Sequence, residues 1–184
     1  MALPHYNQDQ TSRKGRNFEP VQSNLFEVTI LPPQGVSDAP LMLQHVNSIS
    51  GLELYKDVSA VEQKYKFVTR SFAGLPESTT VDVTINFSLN LNEANQAYLY
   101  KSIRQWYNLR YDPNTGAMGL KKDYVGTIVV VQFNRAGDIY RTITLEDCQI
   151  TSGVGFTAEL NYTETEAATL EVIWRCDAWK EVLA

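Results

Sequence analysis

The sequence predicts an α+β chain, mainly an antiparallel β-sandwich or small barrel with one inserted α-helix, and three observations carry that expectation. Short apolar runs with period two recur along the chain, separated by Gly, Pro, Asn and Asp. The period changes to helical spacing at a single place, near residue 92. The composition is that of a globular chain, 43% hydrophobic and 20% charged, with an aromatic share of 11% that suits strands or buried contacts. At 184 residues one substantial core is expected, over 24–184. It is preceded by an arm over 1–23, rich in Asn, Gln, Arg, Pro and Ser, that is expected to be flexible unless a partner fixes it.

The elements follow in order. Leu25 to Leu31 alternates Phe26, Val28 and Ile30 on one face and stops at Pro32-Pro33, which cannot continue a ladder. Leu41 to Ile49 is a second extended run, broken at Ser50-Gly51. Leu52 to Tyr55 and Val61 to Thr69 bracket Lys56 to Ala60 as a β-excursion, whose second arm is charged as well as apolar in the manner of an exposed edge. Ser71 to Ser78 contains a Gly and a Pro and is expected to be a loop. Thr80 to Leu89 is the cleanest strand, with Val81, Val83, Ile85, Phe87 and Leu89 facing a core.

Asn92 is a good N-cap, Glu93 lies in the first turn, and Leu99, Ile103, Trp106 and Arg110 follow at helical spacing. The helix should run about 18 residues, roughly 27 Å, ending before the turn sequence Asp112-Pro-Asn-Thr-Gly116. Gly126 to Phe133 and Ile139 to Leu145 form a hairpin across Asn134 to Asp138, with Ile139, Ile143 and Leu145 on one face. A Gly-rich turn over Thr151 to Gly155 and a short strand over Phe156 to Thr163 lead to the last strand.

That strand, Ala168 to Trp179, poses the functional question. Leu170, Val172, Trp174, Cys176 and Ala178 fall on one face, which belongs in a core. Glu171, Ile173, Arg175, Asp177 and Trp179 fall on the other, where three charges and two large apolar groups suit neither water nor an interior. Tyr65, Phe67 and Tyr140 also stand on strand faces that should meet solvent. Surface of this kind marks protein contacts, so a neighbouring subunit is the expected cover.

Chemistry is sparse by comparison. The net charge of −5 repels phosphate, and the small groups Lys64, Lys66, Arg70 and Arg13, Lys14, Arg16 read as solvated charges. With two histidines, His5 and His45, an imidazole-based catalytic or zinc cluster is hard to assemble. No zinc-protease, nucleophile-elbow or phosphate-loop motif occurs, and Gly153-Val-Gly155 lacks the strand-to-helix setting of a dinucleotide site. Glu146 and Asp147 point to opposite faces and do not converge on one sugar bond. No enzyme, cofactor or metal is expected. Cys148 and Cys176 lie on opposite strand phases, so they are expected as reduced thiols unless a bulge shifts the register. No run approaches the roughly 18 apolar residues of a membrane span, and the N-terminus lacks the apolar core of a secretory signal.

The order of "NLFEVTI", "NSISGLELYKDVSAVEQ", "LNEANQAYLYKSIRQWYN", "GTIVVVQFNRAGDIYRTITLEDC" and the closing "ATLEVIWRCDAW" resembles the tail tube proteins of contractile-tailed bacteriophages and related injection machines, over residues 24 to 182. The resemblance implies a fold of tail-tube type and a homo-hexameric ring that stacks into a hollow tube, its strands joined into one barrel around the lumen. It implies a surrounding sheath protein, baseplate and tail terminator proteins at the ends, a tape measure protein in the lumen and DNA in transit without specific binding. The subunit would be assembled in the host cytoplasm and reside in the virion. Leu52 through Phe72 looks like the family's inter-ring arm, which makes Val61, Tyr65, Phe67 and Phe72 candidate contacts between subunits, together with Ile173 and Trp179. Asp82 and Glu171 are candidates for the lumen wall on strand faces alone. Alternatives are a baseplate initiator or terminator ring of the same fold, or a carbohydrate-binding β-sandwich using Trp106 and Trp179 as stacking platforms.

Overall fold

The cleanest alternation in the sequence becomes the centre of the core. A computed structural model of the chain describes residues 21–36, 46–76, 80–89, 98–154 and 168–184. In strand β5 (Val81–Ser88), Val81, Val83, Ile85 and Phe87 are fully buried, while Asp82 is exposed on the opposite face. Strands β2 (Val46–Ser50) and β8 (Thr169–Cys176) flank β5, both antiparallel to it. Leu170, Val172, Trp174 and Cys176 of β8 enter the same core. Each such side chain removed from water contributes roughly 1.5–3 kcal/mol.

Strand β1 (Phe26–Leu31) supplies Val28 and Ile30 and pairs with β6 (Gly126–Phe133), which supplies Ile128 and Val130. Next to β6 lies β7 (Ile139–Ile150), which changes phase along its length. Ile143 and Leu145 are buried, then Cys148 and Ile150, with exposed Asp147 between them at φ 54. One extra residue in the left-handed region is a bulge, and it sends every later side chain to the other face.

The bulge also divides the pairing of β7. Arg141 to Glu146 pair with β9 (Ala178–Leu183) on the edge away from β6, whereas Gln149 and Ile150 pair with β8. The result is one seven-stranded sheet of order β1-β6-β7-β8-β5-β2, with β9 beside β7, folded over a single core.

Two expectations are corrected here. The last strand does not run on through Trp179: the chain bends at Asp177, leaves Ala178 exposed, and turns Trp179 partly into its own core. Cys148 and Cys176 are not free thiols, because the bulge at Asp147 brings Cys148 to the apolar side, where it forms a disulfide with Cys176.

Helix α1 (Tyr98–Arg110) buries Tyr98, Leu99, Ser102, Ile103 and Trp106 on one face. The expected cap at Asn92 and first turn at Glu93 lie outside the described residues, as do Leu41 to His45 and Phe156 to Thr163. Arg110 is a tether: its Nη1 donates to the Ile150 carbonyl at 2.8 Å. Beyond the helix, Asp112 accepts from the Asn114 N–H and the Thr115 hydroxyl, both at 2.9 Å, and Gly116 at φ 71 closes the turn. A single-turn helix α2 (Lys121–Tyr124), not anticipated from the sequence, precedes β6. The Tyr124 carbonyl accepts from Trp106 Nε1 at 2.7 Å, and a Cβ at Gly126 would lie 2.6 Å from the Trp106 ring, so this position requires glycine. Among the described residues no helix is long and apolar enough to cross a membrane.

The excursion is a hairpin, and its turn lies elsewhere than expected. Strands β3 (Val58–Tyr65) and β4 (Val68–Pro76) reverse at Lys66-Phe67, in the middle of the run read as a single arm, and β4 occupies much of the stretch read as a loop. The turn escapes notice because Lys66, at φ 50, holds a left-handed position that Gly or Asn normally fills.

Candidate assembly surface

Among the described residues the hairpin β3–β4 is a sheet by itself, hydrogen-bonded to no strand of the larger one. All eight residues of β3 are exposed. Its register places Val61 opposite Phe72, Gln63 opposite Arg70 and Tyr65 opposite Val68, so these six side chains share one face. The reverse face carries Glu62, Lys64, Thr69 and Ser71. The hairpin is therefore amphipathic, with an apolar face on which Val61, Tyr65, Val68 and Phe72 are each about half exposed, from 48% to 56%. Phe67 at the tip is fully exposed. Tyr65 is braced locally, its hydroxyl donating to Gln63 Oε1 at 2.6 Å and its ring 6.0 Å from the Arg70 guanidinium. A two-stranded hairpin without packing is marginal in water, and an apolar face this continuous calls for a cover.

The base of the hairpin, in contrast, is anchored. Gly51, at φ 83, lies so close to the Asp82 carbonyl that a Cβ would stand 2.2 Å from it. Leu54 is buried, and the Tyr55 ring meets Trp179 edge-on at 5.0 Å. The Tyr55 hydroxyl donates to Glu181 Oε2 at 3.0 Å, and Glu181 Oε1 accepts from Arg141 Nε at 2.5 Å. These bonds draw the Glu181 carboxyl below its usual range, first through Arg141, and raise the Tyr55 hydroxyl, first through its bond to the carboxylate.

The candidate contact residues thus fall into two groups. Val61, Tyr65, Phe67 and Phe72 are brought together on the hairpin. Ile173 and Trp179 do not share that face, and the bend at Asp177 puts them on different strands. Ile173 is half-buried on the open face of β8, its N–H donating to Ser152 Oγ at 3.0 Å, and Trp179 packs on Tyr55 and the core. Trp106 is 1% exposed, which removes the platform that the carbohydrate-binding alternative requires.

Asp82 and Glu171 share the open face of β2, β5 and β8. Glu171 is exposed. Asp82 stands directly opposite Arg175 and accepts two hydrogen bonds from its guanidinium, Nε to Oδ1 at 2.7 Å and Nη2 to Oδ2 at 2.8 Å. That fork holds the Asp82 carboxyl below its usual value. Around the pair the polar groups bond sideways, Asn86 Nδ2 to Ser48 Oγ at 3.2 Å and Ser88 Oγ to Asn47 Oδ1 at 2.8 Å. Among the described residues, no three His, Cys, Asp or Glu side chains converge as metal ligands would.

No protein-family model matches the chain, and no curated protein matches it in sequence. Its fold, however, is found in solved structures. The chain is similar to one from the tube-terminating cap of the anti-feeding prophage, at TM-score 0.61 and 16% identity over 91% of this chain and 93% of that one. It is similar to a chain of the sheath–tube complex of the PVC extracellular contractile injection system in its extended state, at TM-score 0.60 and 17% identity over 94% and 99%. A chain of the sheath/tube terminator of that system matches at TM-score 0.56 and 14% identity over 90% and 98%. At these identities the likeness establishes the fold, which is of the tube type found in contractile injection systems.

Proposed function

We propose that this chain is a structural subunit of the tube of a contractile injection system or phage tail. Six copies close into a ring, and rings stack head to tail into a hollow tube. The single observation that carries this is the hairpin β3–β4, an amphipathic arm anchored at its base and uncovered along its apolar face. An arm that docks on the next copy along an axis is a heterologous contact, which repeats into an open polymer. Closing sheets around a ring removes the unpaired edges of β1, β2 and β9. The chain holds no cofactor and performs no catalysis in this role. A sheath outside, a baseplate and terminator at the ends, a tape measure protein inside and DNA or other cargo in transit are its expected company.

A second reading, a single ring that caps or terminates the tube, is favoured by the likeness to a cap and a terminator as well as to a sheath–tube complex. Sedimentation of the purified chain across a range of concentrations tests both. Growth into large, polydisperse particles supports the tube subunit and a single discrete ring supports the cap; a monomer at all concentrations contradicts both.

A further inference from the structure

We infer that the open face of β2, β5 and β8 is the channel lining, and that Asp82 is there to mask the Arg175 guanidinium from polyanionic cargo. This rests on the tube proposed above. The Asp82 and Arg175 side chains are about half exposed, at 48% and 50%, so the pair lies on the surface and contributes little to stability. Its consequence is chemical. An unpaired arginine on a wall repeated around every ring would grip phosphates with its two-pronged donor set.

Asp82 occupies the Nε–Nη2 edge of that donor set, at 2.7 and 2.8 Å, and sets a negative charge directly against the guanidinium. Asp177, two residues along, adds a second negative potential at Arg175. The neighbouring amides and hydroxyls bond one another across strands, Asn86 with Ser48 and Ser88 with Asn47, and Asp82 also faces the field of Lys56, a second cation that its charge offsets. The remaining carboxylate, Glu171, is exposed and repels phosphate. A nucleic acid would slide over this face without being held.

The test is anisotropy of a fluorescein-labelled single-stranded oligodeoxynucleotide at low salt with the wild-type chain, Asp82→Asn and the double variant Asp82→Asn/Arg175→Gln, each also imaged for assembly. The wild type and the double variant should bind the probe only weakly and alike, while Asp82→Asn should bind it roughly tenfold more tightly than either and lose that gain as salt is raised. Equal anisotropy for Asp82→Asn and wild type, or tight binding by the wild type, would overturn the masking role. A folded Asp82→Asn chain that no longer assembles would place this face in a subunit contact, overturning the lining while leaving the tube in place. Failure of the wild type to assemble removes the tube and with it the lining, and the anisotropy would then describe only the monomer surface.

Discussion

Asp147 and Asp177 stand at the two points where the chain crosses from one half of the sheet to the other, and the Lys121 ammonium lies between them, 3.8 Å from Asp147 Oδ2 and in closer contact with Asp177. Immediately inside each aspartate is a cysteine, and the Cys148–Cys176 disulfide joins the same two crossings from the core side. The corner is thus held twice, by a covalent bond within and a shared cation outside. Contact with Asp177, and then the field of Asp147, keeps the Lys121 pKa above its usual 10.5.

These two fastenings should differ in weight. Lys121→Met removes exposed pairs that salt already screens, so it should lower the melting temperature by at most a few degrees, with the deficit shrinking at high salt. Serine at both Cys148 and Cys176 opens a loop of sequence separation 28, and the loss should be about 3.5 kcal/mol in a denaturant titration. Two free thiols in the unfolded, unreduced wild type would mean that the corner closes without the bond.

Gly126→Ala should destabilise by about 2–4 kcal/mol, because the added methyl meets the Trp106 ring and the Leu31 carbonyl and neither is free to withdraw. In an open strand the same change would be favourable by up to about 1 kcal/mol, so the sign alone tells whether Trp106 rests on this backbone.

Neighbouring residues of β5 should respond in opposite ways. Val83→Asp buries an unpaired carboxylate where nothing can solvate it and should prevent folding, since the cost of several kcal/mol rivals the whole stability. Thr84→Asp, on the open face, should leave the circular dichroism spectrum and solubility unchanged.

Acid should weaken the Asp82–Arg175 pair in a defined window. The Asp82 pKa is lowered in the folded chain by the Arg175 hydrogen bonds, so its contribution is complete above the unfolded value of 3.8 and is lost as pH falls below that toward the folded value. Because the pair is half exposed, Asp82→Asn should melt only slightly below wild type at neutral pH, and that small difference should close as pH falls below 3.8. Glu181, lowered first by Arg141, should behave in the same sense below its usual 4.5.

Period-two alternation was sufficient for β1, β5, β6 and the inward face of β8, because each of these strands buries one face against a common core. What strict alternation cannot convey is a change of phase. The step from Leu145 to Cys148 and the step from Phe67 to Val68 are both phase slips, visible in the sequence as apolar residues moving from odd to even positions. Reading the first would have placed Cys148 beside Cys176, and reading the second would have placed the hairpin tip at Lys66-Phe67. The Lys121 clamp was beyond such a reading, since it joins an exposed lysine to two aspartates distant in sequence. The exposed apolar residues of the hairpin were legible because large apolar side chains are interleaved with Glu62, Lys64 and Arg70. Trp179 misled because the bend at Asp177 turned it toward its own core.

Changing Tyr65 to Asp adds charge to the uncovered face without touching the core, so the subunit should fold and melt as wild type yet sediment as a small species. Wild-type sedimentation from the folded variant would exclude Tyr65 from the contact.

Electron cryomicroscopy of the concentrated wild-type chain bears most directly on the assembly. Stacked rings, with the apolar face of each β3–β4 hairpin covered by the adjoining ring, are the expected result. Isolated monomers at every concentration, with Val61, Tyr65, Phe67 and Phe72 still facing water, would contradict it.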